Sequence, residues 1–190
     1  MRGTTSPTEG SRIIARMAIA LLLTTLLALA GLLATSAQGL ILASALHSAA
    51  PAAGHLVTRH VGFAIPTVLF SLFSQSMVIF YFIGTGKLVK EEVASYPEPE
   101  RRAVLNALRR FKAKTSPPAT FALLSAIAVF VLGGAVHTSA LPPWTHLTAS
   151  LSAVAIHTWA LASEWRTFAE NHRLMSDPLA YARGASRRSD

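Results

Sequence analysis

Four long apolar runs divide the chain. Met17 to Leu46 is rich in Leu and Ala, and His60 to Gly86 continues the pattern after a short polar break. Ala119 to Val136 and Trp144 to about Trp165 follow. About 20 apolar residues at ~1.5 Å rise cross a ~30 Å hydrocarbon core, so each run predicts a spanning helix. The spans are expected at about 17–46, 61–84, 119–136 and 144–165. The fold class is therefore all-α, a polytopic membrane protein with four transmembrane helices in a bundle. Trp144 and Trp165 lie roughly 31 Å apart along a helix, matching one aromatic anchor at each interface.

The second run is polar at its centre, where Ser71, Ser74, Gln75 and Ser76 fall together. Such groups need protein partners in a bilayer, so this helix should lie within a bundle or an oligomer. Pro66 should bend it. A cleaved signal peptide competes for the first run, with small residues at Thr35-Ser36-Ala37 or Ala43-Ser44-Ala45. The stretch from Met17 to Ala34 exceeds the ~7–15 residues of a signal-peptide core, which favours a retained helix.

Between the second and third runs lies a basic segment, 87–118. Val104, Leu105, Leu108 and Phe111 fall at helical spacing against Arg101, Arg102, Arg109, Arg110, Lys112 and Lys114. Pro99, between Glu98 and Glu100, suits a helix start. Pro117-Pro118 should end the piece. An amphipathic cytoplasmic helix is expected, with its apolar side in the inner leaflet. Its basic side would meet anionic lipids at roughly 1 kcal/mol per residue, or dock on an acidic protein. Gly84–Lys87 reads as a glycine-rich helix end with a snorkelling lysine. It is no phosphate loop, because Tyr81 stands where the first glycine belongs and Leu88 follows Lys87. Gly133-Gly134 with Ala122 and Ala126 allows a close helix crossing.

Composition and charge then set orientation. The 190 residues are 52% hydrophobic with mean hydropathy +0.44, too apolar for a soluble domain of this size. A net charge of +8 raises nucleic acid as a partner, but the cations flank the apolar runs and no binding module is present. Segments 1–16, 87–118 and 164–190 hold three, eight and five of the 17 lysines and arginines, leaving Arg59 alone opposite. The positive-inside rule makes their side cytoplasmic, implying an inner-membrane protein with both termini inside. The chain divides into a cytoplasmic segment 1–16, a membrane domain 17–166 and a cytoplasmic tail 167–190, unordered past Pro178. With no cysteine, thiolate metal sites, iron–sulfur clusters and cysteine nucleophiles are excluded.

Histidine is the chemically suggestive residue. His47, His55, His60, His137 and His146 fall on the outer side. His60, His137 and His146 border three different spans and would converge in a compact bundle. Such a nitrogen site suits zinc, copper or the iron of haem b, with Arg59 as a propionate contact. The alternative is that they are interfacial histidines bonded to headgroups or loop carbonyls. His157 lies deeper and is a ligand, a proton carrier or a helix-bridging neutral imidazole. Ser71 and Ser36 fall at its depth as hydrogen-bond partners. The arrangement resembles four-helix membrane cytochromes of the b type in general architecture alone, lacking their facing histidines inside the bundle. Glu91, Glu92, Glu164, Glu170 and His172 are expected at the inner surface as solvated charge, with metal ligation the rival reading. No carboxylate is expected inside a span, which counts against a proton-coupled exporter.

Three functions follow as expectations. The first is a non-catalytic binding or accessory subunit of a larger membrane complex or homo-oligomer. The second is a haem- or metal-binding electron-transfer protein using His60, His137, His146 and His157. The third is a small dimeric transporter whose path is lined by His157 and the serines of the second helix.

Overall fold

The computed structural model describes residues 9–48 and 53–186. Four long helices account for most of them: α1 (Glu9–His47), α2 (Ala53–Glu92), α3 (Glu98–His137) and α4 (Pro143–Ser176). A 3-10 turn, Val93–Ser95, follows α2, and a nine-residue α5 (Pro178–Ser186) follows α4. No strand occurs among the described residues. Each long helix packs on the next in sequence and α4 returns to α1, giving an up-and-down bundle with α2 and α4 on a diagonal. Arg2 of the expected N-terminal segment and Arg187, Arg188 and Asp190 of the tail lie outside the described residues. So does the side chain of His47.

Three helices, over Arg12–Leu46, Gly54–Ser95 and Glu98–His137, are long and apolar enough to cross a membrane. The bundle is apolar outward: Leu26, Leu27, Leu69, Phe73, Phe121 and Phe130 are each at least half exposed. Thr25, Ser71, Ser74, Gln75 and His157 are buried inside. That inversion suits lipid as the surrounding solvent. Ser71, Ser74 and Gln75 of the polar centre of α2 are thus fully buried within one chain.

The connection between α2 and α3 departs from expectation. At ~1.5 Å per residue the 40 residues of α2 extend about 60 Å, twice a hydrocarbon core. α2 runs through Gly84 and Gly86 to Glu92, so the glycine-rich stretch ends nothing. α3 begins at Glu98 and continues unbroken through Pro117 and Pro118. The amphipathic piece is therefore the first half of α3, not a separate surface helix. Pro118 has no amide for the Lys114 carbonyl, four residues back. The Ser163 hydroxyl of α4 donates to that carbonyl at 2.7 Å, which explains why the helix survives there.

The apolar side of this half enters protein rather than lipid. Val104, Ala107 and Phe111 pack with Val89, Val93, Leu174 and Ala182. Ala182 belongs to α5, and Tyr181 meets Phe111 edge-on with ring centroids 6.5 Å apart. The chain past Pro178 is thus helical through Ser186 and docked on α3. Arg101, Arg102, Arg109, Arg110, Lys112 and Lys114 remain exposed on the opposite side.

At the other end α3 closes with a Schellman turn. The Ala140 amide donates to Ala135 O at 2.8 Å and the Ser139 amide to Val136 O at 3.0 Å. Ser139 takes φ +59° to make it.

Candidate functional site: a buried polar column

Along one face of α4, His157, Glu164 and Asn171 recur every seventh residue, and none exposes any surface. Seven residues are nearly two turns, so the three sit above one another at about 10 Å intervals. Ala153 precedes them on the same face and Ala160 lies between His157 and Glu164, both without exposure. Their small side chains let α4 approach α3, where Ala119, Ala122 and Ala126 are likewise fully buried.

Glu164 corrects the expectation of solvated charge at the inner surface. It is buried inside the bundle, with Thr25 of α1 and Gln75 of α2 facing its carboxyl. Thr25 and Gln75 are the side chains placed to hydrogen-bond it, although neither carboxyl oxygen and neither amide atom of Gln75 reaches full hydrogen-bond geometry. Thr25 sits nine residues inside Arg16, the last cation of α1, roughly 13 Å along the axis. The nearby inner cation Lys114 points out to Glu170, 4.0 Å away, and not to Glu164. A buried carboxyl that no cation pairs is costly at such a position.

His157 lies two turns farther out. Its Nδ1 stands 2.9 Å from Ala153 O. A carbonyl only accepts, so Nδ1 carries the proton and Nε2 presents a lone pair. Nε2 is buried and unpartnered. Ser71, one turn outward of Gln75 on α2, is fully buried with an unpartnered hydroxyl oxygen. The expected bond from Ser71 to His157 is not made, and Ser36 is only partly buried. Beside Glu164, Ser74 lies 3.2 Å from the Thr25 hydroxyl and 3.3 Å from Thr24.

Toward the basic end the column is hydrogen-bonded. Asn171 Nδ2 donates to the Tyr81 hydroxyl and to Thr85 Oγ1, each at 3.3 Å. Tyr81 and Phe82 pack on Phe168, which separates Asn171 from Glu164.

The outer histidines converge in part. The rings of His60 and His146 meet edge-on, 6.2 Å between centroids, each with Nδ1 buried and unpartnered. Gly133 lets His146 approach α3, since a Cβ there would stand 3.0 Å from the ring. His137 ends α3 exposed, as are His55 and Arg59. His157 is eleven residues from His146, about 16 Å along α4. Three histidines therefore do not meet, and no group of three or more His, Asp or Glu side chains positioned for a metal occurs among the described residues. The carboxylates expected at the inner surface are dispersed as well. Glu91 pairs with Lys87 at 3.9 Å and Glu170 with Lys114, while Glu164 turns inward.

Sequence reasoning missed Glu164 because Trp165 and Arg166 beside it read as a membrane boundary. The usable signal was the seven-residue spacing of His157, Glu164 and Asn171. Comparison with known protein families, with curated proteins and with solved structures finds no match for the chain.

Proposed function

We propose that the protein is a small proton-handling membrane carrier, in which Glu164 and His157 take up and release a proton within the bundle. In this reading α4 is the fourth spanning helix, in the inner membrane. The termini and the basic halves of α2 and α3 are cytoplasmic, as the asymmetry of lysine and arginine favours. The observation that carries the function is the fully buried carboxyl of Glu164, which faces the neutral Thr25 and Gln75 with no ion pair among the described residues, on the same face of α4 as the open Nε2 of His157. A bundle needs neither group to hold together. Both are suited to a proton relay. Ser71 and Gln75 lie at depths from His157 to Glu164 and can pass a proton through hydroxyl or water. Tyr81, Thr85 and Asn171 form a second polar group farther inward, beyond the aromatic layer at Phe168.

The test is proton flux into liposomes. Purified full-length protein is reconstituted around a trapped pH-sensitive dye, and a potassium diffusion potential drives protons. Flux well above protein-free vesicles is expected, with at least a tenfold loss in Glu164→Gln. Wild-type vesicles no leakier than empty ones, or a Glu164→Gln variant as active as wild type, would sink the proposal.

A further inference from the structure

A groove of about 630 Å³ opens between α2 and the first half of α3. It lies where the charge-free run of α2 stops at Lys87 and that of α3 has not begun. Val78, Ile79, Phe82 and Ile83 line one end, and Leu105 and Leu108 continue the apolar wall. Lys87, Lys90, Arg101, Arg109 and Lys112 line it too, and no carboxylate does. Two of these cations are engaged elsewhere, Lys87 with Glu91 and Arg101 with Glu98. Lys90, Arg109 and Lys112 make no ion pair among the described residues.

We infer that this groove binds one anionic phospholipid, an acyl chain lying along Ile79, Phe82 and Leu108 and the phosphate held by Lys90, Arg109 and Lys112. Three properties select that occupant. The volume falls within the range of ligand sites, about 300–1,000 Å³. The lining combines an apolar wall with cations, as an amphiphile requires and a free phosphate does not. The groove lies where the apolar part of α2 gives way to charge, the level of lipid phosphates, and anionic headgroups are drawn to basic pockets between helices there. Gly86 also lines the groove, and a Cβ on it would meet no atom within 4 Å. The glycine leaves space that a headgroup or chain can fill. This inference needs only a membrane around the bundle and stands apart from the proton reading.

The experiment is native mass spectrometry of the full-length protein in detergent, titrated with phosphatidylglycerol or phosphatidylcholine of matched chains. Retention of one phosphatidylglycerol, at least tenfold tighter than phosphatidylcholine, is expected. Two variants divide the site. Lys90→Gln with Arg109→Gln removes charge, and Gly86→Trp fills the groove with every cation kept. Both should lower retention about tenfold while circular dichroism stays unchanged. Undiminished retention in Gly86→Trp would mean diffuse surface attraction and overturn the groove. Equal binding of both lipids, or displacement by inorganic phosphate at matched concentration, would overturn the choice of ligand. So would competition by an acidic peptide at concentrations comparable to the lipid.

Discussion

His157 and Glu164 stand nearly two turns apart on one face of α4, both without exposed surface, and between them leave three hydrogen-bonding atoms unpartnered. Replacing an unsatisfied buried polar group by an apolar one of similar shape is neutral or stabilising, since the group's desolvation costs about 1–3 kcal/mol. Glu164→Met should therefore match or exceed wild type in thermal unfolding in detergent while proton flux disappears. A large loss of stability would instead mark Glu164 as a structural group with partners.

Asn171 predicts the opposite behaviour. Its amide bonds both Tyr81 and Thr85, tying α4 to α2 at a fully buried position. Asn171→Leu should cost about 1–3 kcal/mol by leaving the Tyr81 hydroxyl unpaired, while Thr85 keeps its bond to Tyr81 O. Chemical unfolding of the variant measures it, and a stability equal to wild type would refute the linkage.

Ser163 and Pro118 form a pair testable by double-mutant cycle. Ser163→Ala should cost about 1 kcal/mol, because the Lys114 carbonyl then loses its donor. In a Pro118→Ala background the backbone amide returns, and the same serine change should cost close to nothing. Equal costs in both backgrounds would show that the serine does not compensate the proline.

Gly31 and Gly84 differ by their surroundings. A Cβ on Gly31 would stand 2.8 Å from Thr67 Cγ2, whereas one on Gly84 meets nothing within 4 Å. Gly31→Ala should destabilise by about 1–3 kcal/mol through the crowded α1–α2 crossing, and Thr67→Ser should relieve it. Gly84→Ala should be neutral or stabilising by up to about 1 kcal/mol. Thermal unfolding of the three variants decides; equal effects at the two glycines would reject the crossing.

Ser139 holds the left-handed position that closes α3. Glycine adopts it without a Cβ penalty, so Ser139→Gly should stabilise by up to about 1 kcal/mol. A lower melting temperature would count against this reading of the turn.

Helical character and the three apolar spans were legible from the sequence, because a charge-free run of spanning length is a local property that needs no knowledge of neighbours. The polar centre of α2 was legible for the same reason, whereas of the expected convergence of His60, His137 and His146 only His60 and His146 come together. Other features depended on helices meeting. Two prolines read as a helix end until Ser163 on another helix supplied the missing donor for Lys114. The apolar side of 101–114 read as lipid-facing until Val89, Val93, Leu174 and Ala182 were seen to cover it. Glu164 read as interfacial, since its sequence neighbours are Trp165 and Arg166. Its burial is decided by which way α4 faces, with Thr25 of α1 and Gln75 of α2 closing over the carboxyl. Local sequence determines that a helix forms and how long it runs, while only the contacts among helices decide which of its faces is inside.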